Sequence, residues 1–208
     1  MKYYGMPFGM WLLFKKSFKN NLSIFNIGKK ESKIITKNAK SKYKEIIKNL
    51  PEFEKNDRFK MNIVSCAMFA SFISNLKEKP TLEDVTKWYN KSMMTKSMKW
   101  FCKKTGKKKY TNKDINNMKK TADLKAADRN PYSWNMEFYL YDNNKGYEAR
   151  FTKCGICHLL KDLGLFEFAP AMCRLDYTMA LAGGVSVFKR EYTIATGGAY
   201  CDCGYYKK

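Results

Sequence analysis

The groups of this chain that could do chemistry are concentrated in residues 154–202. That segment holds four of the seven cysteines, the only histidine, two Gly-Gly pairs, Arg190, and the acids Asp176 and Asp202. Cys173 and Asp176 lie three apart in an apolar run, a spacing that projects both from one helical face. Cys201 and Asp202 follow the flexible pair Gly197-Gly198. An ionised thiol is a nucleophile and a carboxylate moves protons, so the pattern suits addition to a polarised carbon.

Each grouping has a competing explanation. Cys154, Cys157 and His158 read as C-x-x-C-H, but haem attachment through such a motif requires export, and the cysteine separations do not form the paired knuckles of a zinc site. No metal and no cofactor are expected. Cys173 with Asp176 is either a nucleophile with an acid or base, or a core thiol beside a surface carboxylate. Apolar neighbours such as Met172 and Leu175 would raise the pKa of an unpaired carboxylate there. Arg190, one of few arginines in this part of the chain, suits bidentate binding of a carboxylate. Positions three apart on a strand face opposite sides, so Arg190 and Thr193 line one pocket only if a bulge or twist intervenes. Around Gly197-Gly198 the backbone can approach an oxyanion beside Cys201.

Positioning these groups falls to an α+β arrangement: a helical N-terminal half packed on a C-terminal antiparallel sheet module of order ββααββ. The expected division is residues 1–130, lysine-rich and helical, and residues 131–208, all within one compact domain. Residues 1–20 read as a docking arm or short helix. Residues 29–49 place Ile34, Ile35, Ala39, Tyr43, Ile46 and Ile47 on one face and stop at Leu50-Pro51. Residues 57–76 are apolar nearly all round, the signature of a buried helix with Cys66 in the core. Thr81 and Asp84 resemble a capping box that opens a helix through Val85, Trp88, Tyr89 and Met93. Lysines around residues 103–107 suggest a turn or exposed loop, and residues 114–127 a weaker helix. Beyond Pro131 the period switches to two: residues 134–140 and 147–152 form a hairpin, residues 154–163 and 169–181 two helices, and residues 185–195 and 199–206 two further strands.

The net charge of +21 invites a nucleic-acid reading, yet residues 131–208 carry nine Lys or Arg against eight Asp or Glu. The excess therefore belongs to the helical half, as scattered lysines without a nucleic-acid-binding motif, and nucleic acid is not the expected partner. No apolar window is long enough to span a membrane and no secretory signal pattern opens the chain, so a cytoplasmic location with reduced thiols is expected.

The run Cys154…Leu163-Gly164…Cys173-x-x-Asp176…Arg190-x-x-Thr193-x-x-x-Gly197-x-x-x-Cys201-Asp202 resembles the bacterial L-2-amino-thiazoline-4-carboxylic acid hydrolase family. The resemblance implies hydrolysis of a cyclic amidine C–N bond, opening 2-amino-thiazoline-4-carboxylate to N-carbamoyl-cysteine. It carries over Cys154, Cys173, Asp176, Arg190, Thr193, Gly197, Cys201 and Asp202. Cys203 departs from the family's usual Cys-Asp-Phe ending. Such a reaction needs attack at the carbon between nitrogen and sulfur, a proton for the departing nitrogen, and an anchor for the substrate carboxylate. The assignments are Cys173 or Cys201 as nucleophile, Asp176 or Asp202 as general acid/base or as activator of water, and Arg190 with Thr193 as the anchor, with Gly197 and Cys154 against the substrate. Two rivals remain: a related biosynthetic enzyme acting on another C–N bond or closing a ring, and a non-catalytic module binding a small molecule or metal.

Overall fold

The computed structural model describes residues 5–208. Helix and sheet segregate as expected for α+β: a helical N-terminal half precedes a four-stranded antiparallel sheet at the C-terminus. The chain divides into two compact units. One comprises residues through Met93 together with Ile156–Met172, and the other Met94–Gly155 together with Cys173–Lys208. No helix among the described residues is long and apolar enough to cross a membrane.

In the first unit, the stretch expected as a docking arm or short helix is the helix α1 (Met6–Asn21), which buries Trp11, Phe14 and Phe18; residues 1–4 of that stretch lie outside the described residues. α2 (Lys29–Asn49) buries Ile35, Ala39, Tyr43, Ile46 and Ile47, while Ile34 stands 60% exposed on its flank. The helix stops where Leu50, preceding proline, turns to extended backbone. α3 (Lys60–Ile73) is buried without interruption from Ile63 to Ile73, Cys66 included, so it forms the centre of this unit. At the start of α4 (Leu82–Met93), the Thr81 hydroxyl accepts from the Asp84 N–H at 3.1 Å and donates to its carboxylate at 2.9 Å. Trp88 and Tyr89 then meet Phe18, Phe69 and Phe72 in an aromatic cluster. Its polar ends are satisfied by Trp88 Nε1 to the Phe18 carbonyl and Ser65 to the Tyr89 hydroxyl.

The second unit opens with a correction. Lys103 and Lys104, expected in a turn, form the last turn of α5 (Lys96–Gly106). Thr95 caps that helix by accepting from Met98 N–H, Cys102 and Gly106 face inward, and lysines near a helix C-terminus complement its dipole. The turn follows, at residues 107–110, and passes Tyr110 through φ +63° before α6 (Asn112–Lys125). β1 (Asn135–Leu140) and β2 (Gly146–Lys153) form the expected hairpin, with Phe138 opposite Ala149 and Leu140 opposite Tyr147. α7 (Gly155–Asp162), which from Ile156 belongs to the first unit, ends before Gly164 at φ +68°. The expected helix over residues 169–181 is two: α8 (Ala169–Cys173) and α9 (Leu175–Gly183), interrupted at Arg174.

β3 (Ser186–Lys189) is shorter than residues 185–195, and β4 (Cys201–Lys207) begins after Gly197-Gly198. The truncation has a cause in β4. The Asp202 carboxylate accepts the N–H groups of Glu191 at 3.1 Å and Tyr192 at 2.7 Å, so those donors cannot extend a ladder. The sheet order is β1-β2-β4-β3, with α6 against β1 and α9 against β3. α5 crosses α9 at a point so close that a Cβ on Gly106 would stand 2.7 Å from the Gly183 carbonyl oxygen. Only glycine lets the two backbones meet there.

Candidate active site

The end of β3 delivers Arg190 into the interior of the second unit, where its side chain is 6% exposed. Nη1 donates to Asp176 Oδ2 at 2.9 Å and to Cys203 Sγ at 3.7 Å. Nη2 donates to the carbonyl of Cys173 at 2.7 Å, at the break between α8 and α9. Phe188 and Tyr177 flank the guanidinium at 5.3 and 5.6 Å from their ring centroids, and the Tyr177 hydroxyl donates to the Arg190 carbonyl. Arg190 is thus committed to three protein groups on two segments. Its observed work is to hold Asp176 in place.

Because the chain leaves the ladder after Lys189, Thr193 and Arg190 reach the same region without a bulge. Thr193 opens a short 3₁₀ turn (Ile194–Thr196), with its hydroxyl accepting from Ala195 N–H. The same hydroxyl lies 3.5 Å from Cys201 Sγ and 3.8 Å from Cys173 Sγ, and Cys201 Sγ accepts the N–H of Ile194. Cys154 is near enough to act electrostatically on both thiols. Gly197, at φ +90°, ends the turn, but the close approach belongs to Gly198: a Cβ there would stand 3.0 Å from the backbone nitrogen and oxygen of Thr193. Asp202 is turned to the loop amides described above, apart from this cluster. In the other unit His158 lies 3.5 Å from Asp162 on the surface of α7 and Cys157 is buried.

Electrostatics separate the thiols from the carboxylate. Burial pushes the Cys173 thiol up to about 12, against the opposing pull of Arg190. Burial likewise raises Cys201 and Cys203, with the Asp176 charge adding to the effect at Cys203. At neutral pH these groups are thiols, not thiolates. Asp176 is pushed up from the ordinary carboxylate range by burial, and the guanidinium of Arg190 pulls it back only in part. Its side chain nevertheless retains 41% of its accessible surface, because it opens into a pocket of about 130 Å³. Cys102, Gly106, Lys109, Ser186 and Tyr205 line that pocket with it.

The structure therefore gathers Cys154, Cys173, Thr193 and Cys201 near one another and, apart from them, opens a pocket at Asp176. Sequence reasoning missed the pocket's α5 side, since Cys102 and Lys109 fall among lysines that read as solvated surface. It also missed Tyr205 and Cys203, which the alternation of β4 carries inward. No group of three His, Cys, Asp or Glu among the described residues is placed to hold a metal ion.

A direct consequence concerns thiol reactivity. In the folded protein at pH 7.5, Cys173, Cys201 and Cys203 are expected to stay unmodified by iodoacetamide over a period that labels the denatured chain completely, as read by peptide mass spectrometry. Rapid selective labelling of Cys173 in the native protein would reinstate it as a nucleophile.

Compared with known proteins, residues 61–205 match the family model described as L-2-amino-thiazoline-4-carboxylic acid hydrolase. No curated protein and no solved structure matches the chain.

Proposed function

The chain belongs to the L-2-amino-thiazoline-4-carboxylic acid hydrolase family, and on that premise we propose that it hydrates the amidine carbon of a small cyclic amidine, with Asp176 as general base. The observation that carries this reading is the position of Asp176. Asp176 lines the pocket described above, with a pKa raised above the ordinary carboxylate range by burial and a buried arginine fixing its orientation. A raised carboxylate is a stronger base than a free one, and general-base catalysis gains as the pKa approaches the working pH. The thiols being protonated, water is the better attacking group in this state.

The atoms balance as follows. Asp176 takes a proton from a water whose oxygen bonds to the carbon between nitrogen and sulfur, and the C=N electron pair passes to nitrogen. Collapse of that adduct re-forms a double bond to oxygen as the hydroxyl proton passes to the nitrogen that took the electron pair, and expels one substituent, which receives the proton from Asp176. Formation of N-carbamoyl-cysteine keeps both nitrogens on the carbonyl carbon, so the bond that breaks is C–S and the proton goes to sulfur. Departure of the exocyclic nitrogen would instead release ammonia and leave the ring closed, and departure of the ring nitrogen, the ring opening expected from the sequence, would give an S-carbamoyl cysteine with neither ammonia nor a free thiol.

The three outcomes are distinguishable in one assay, the ring-nitrogen cleavage by a product heavier by one water that carries no free thiol. Reduced protein incubated with 2-amino-thiazoline-4-carboxylate is expected to generate one free thiol per substrate consumed, with a product heavier by one water. Ammonia without thiol would move the cleavage to the exocyclic nitrogen. Binding without turnover, at protein concentrations near that of the substrate, would replace the enzyme with a binding module.

A further inference from the structure

The pocket that Asp176 lines also holds a cation. Lys109 lines the pocket together with Asp176 and acts on that carboxylate electrostatically. Its Nζ stands 3.3 Å from the centroid of the Tyr205 ring and 5.6 Å from that of Tyr147, so two ring faces orient the ammonium at the pocket.

The backbone that presents it is under constraint. Lys109 N–H donates to the Gly106 carbonyl, and the next residue, Tyr110, adopts φ +63°, a conformation costly for a residue with a bulky side chain. Tyr110 is held there from two sides: its N–H donates to Asp114 at 3.0 Å, and its hydroxyl donates at 2.6 Å to Ser186, itself a pocket residue. Strain that the surroundings maintain beside a pocket cation marks a position fixed for a purpose other than packing. The contact of Gly106 with Gly183 fixes the distance between the two walls.

We propose that the pocket between α5 and α9 is a binding site for a small compound carrying an amidinium and a carboxylate, the amidinium meeting Asp176 and the carboxylate meeting Lys109. Lys109 is then the specificity-determining residue, and Arg190 is a positioning residue. The inference rests on the reading of Asp176 given above. The volume of about 130 Å³ sits below the usual range for ligand pockets, roughly 300–1,000 Å³, which restricts the occupant to a single small ring.

The experiment compares 2-amino-thiazoline-4-carboxylate with 2-amino-thiazoline, which lacks the carboxylate, on wild type, Lys109→Met and Lys109→Arg. Wild type is expected to favour the carboxylate compound in KM by about tenfold to a hundredfold, the contribution typical of a hydrogen bond to a charged group. Lys109→Met should remove that preference, chiefly by raising KM for the carboxylate compound, and Lys109→Arg should restore most of it. A folded Lys109→Met that keeps the preference overturns the assignment of Lys109 while leaving the hydrolytic reading intact. If wild type turns over neither compound, the hydrolytic reading fails, and titration of both compounds by calorimetry decides the site alone: a carboxylate preference lost in Lys109→Met supports it. A preference retained in that variant, or absent from wild type, overturns it.

Discussion

Asp176→Asn is expected to lower kcat by at least about a hundredfold, the lower bound of what a positioned general base contributes. The amide keeps the size and the acceptor oxygen for Arg190 but cannot take a proton from water. In wild type, kcat/KM should fall as pH drops through the Asp176 pKa, because protonation removes the base. Burial raises that pKa, so the acid limb lies above the ordinary carboxylate range near 3.8. Residual activity of the Asn variant should show no such limb. An Asn variant that retains wild-type kcat with the same acid limb would place the base elsewhere. A thermal melt of the same samples separates lost chemistry from lost folding.

Arg190→Met is the second large effect, and it has two signatures. Removing the guanidinium orphans the Cys173 carbonyl and leaves Asp176 without its counter-charge. Removing one partner of a fully buried pair costs about 3–5 kcal/mol. The carboxylate retains 41% of its surface, so a loss of about 2–3 kcal/mol in denaturant unfolding is the appropriate figure here. The other signature is in the pH profile. Arg190 lowers the Asp176 pKa in the folded protein, so without it the acid limb moves to higher pH. Arg190→Lys restores charge but not the fork, and should recover the limb more fully than the stability. An unmoved limb in Arg190→Met would show that the pair is structural only.

How much of this was legible follows from what each signal depends on. α2 and α3 were readable because helical period and all-round apolarity are local; even there Ile34, one position off the buried stripe, was misassigned to the inner face. The β1–β2 hairpin declared itself through alternation and an Asn-Asn turn, whose two residues do adopt positive φ. α5 was hidden because lysines on its outer face dominate the local composition, while its inward face is made by Cys102 and a glycine whose packing partner is far along the chain. β3 looked longer than it is because the residue that ends it, Asp202, belongs to another strand. In the site, spacing indicated which residues gather around Thr193. It could not indicate that Arg190 spends its donors on Cys173, Asp176 and Cys203, since that set exists only in three dimensions.

The strand order β1-β2-β4-β3 carries a consequence for how the chain reaches this state. β4 is the last strand in sequence yet lies in the interior, paired on both sides, with β2 along residues 146–151 and with β3 along residues 186–189. Until it inserts, the hairpin presents β2 as an open edge and β3 has no partner at all. Exposed edges invite pairing with other chains, so the interval before insertion is when this protein is most prone to aggregate. Tyr205 arrives with β4, so the same event that protects the edge also installs the ring beneath Lys109. The covered sheet edge and the aromatic wall of the pocket thus both depend on the pairing of one strand.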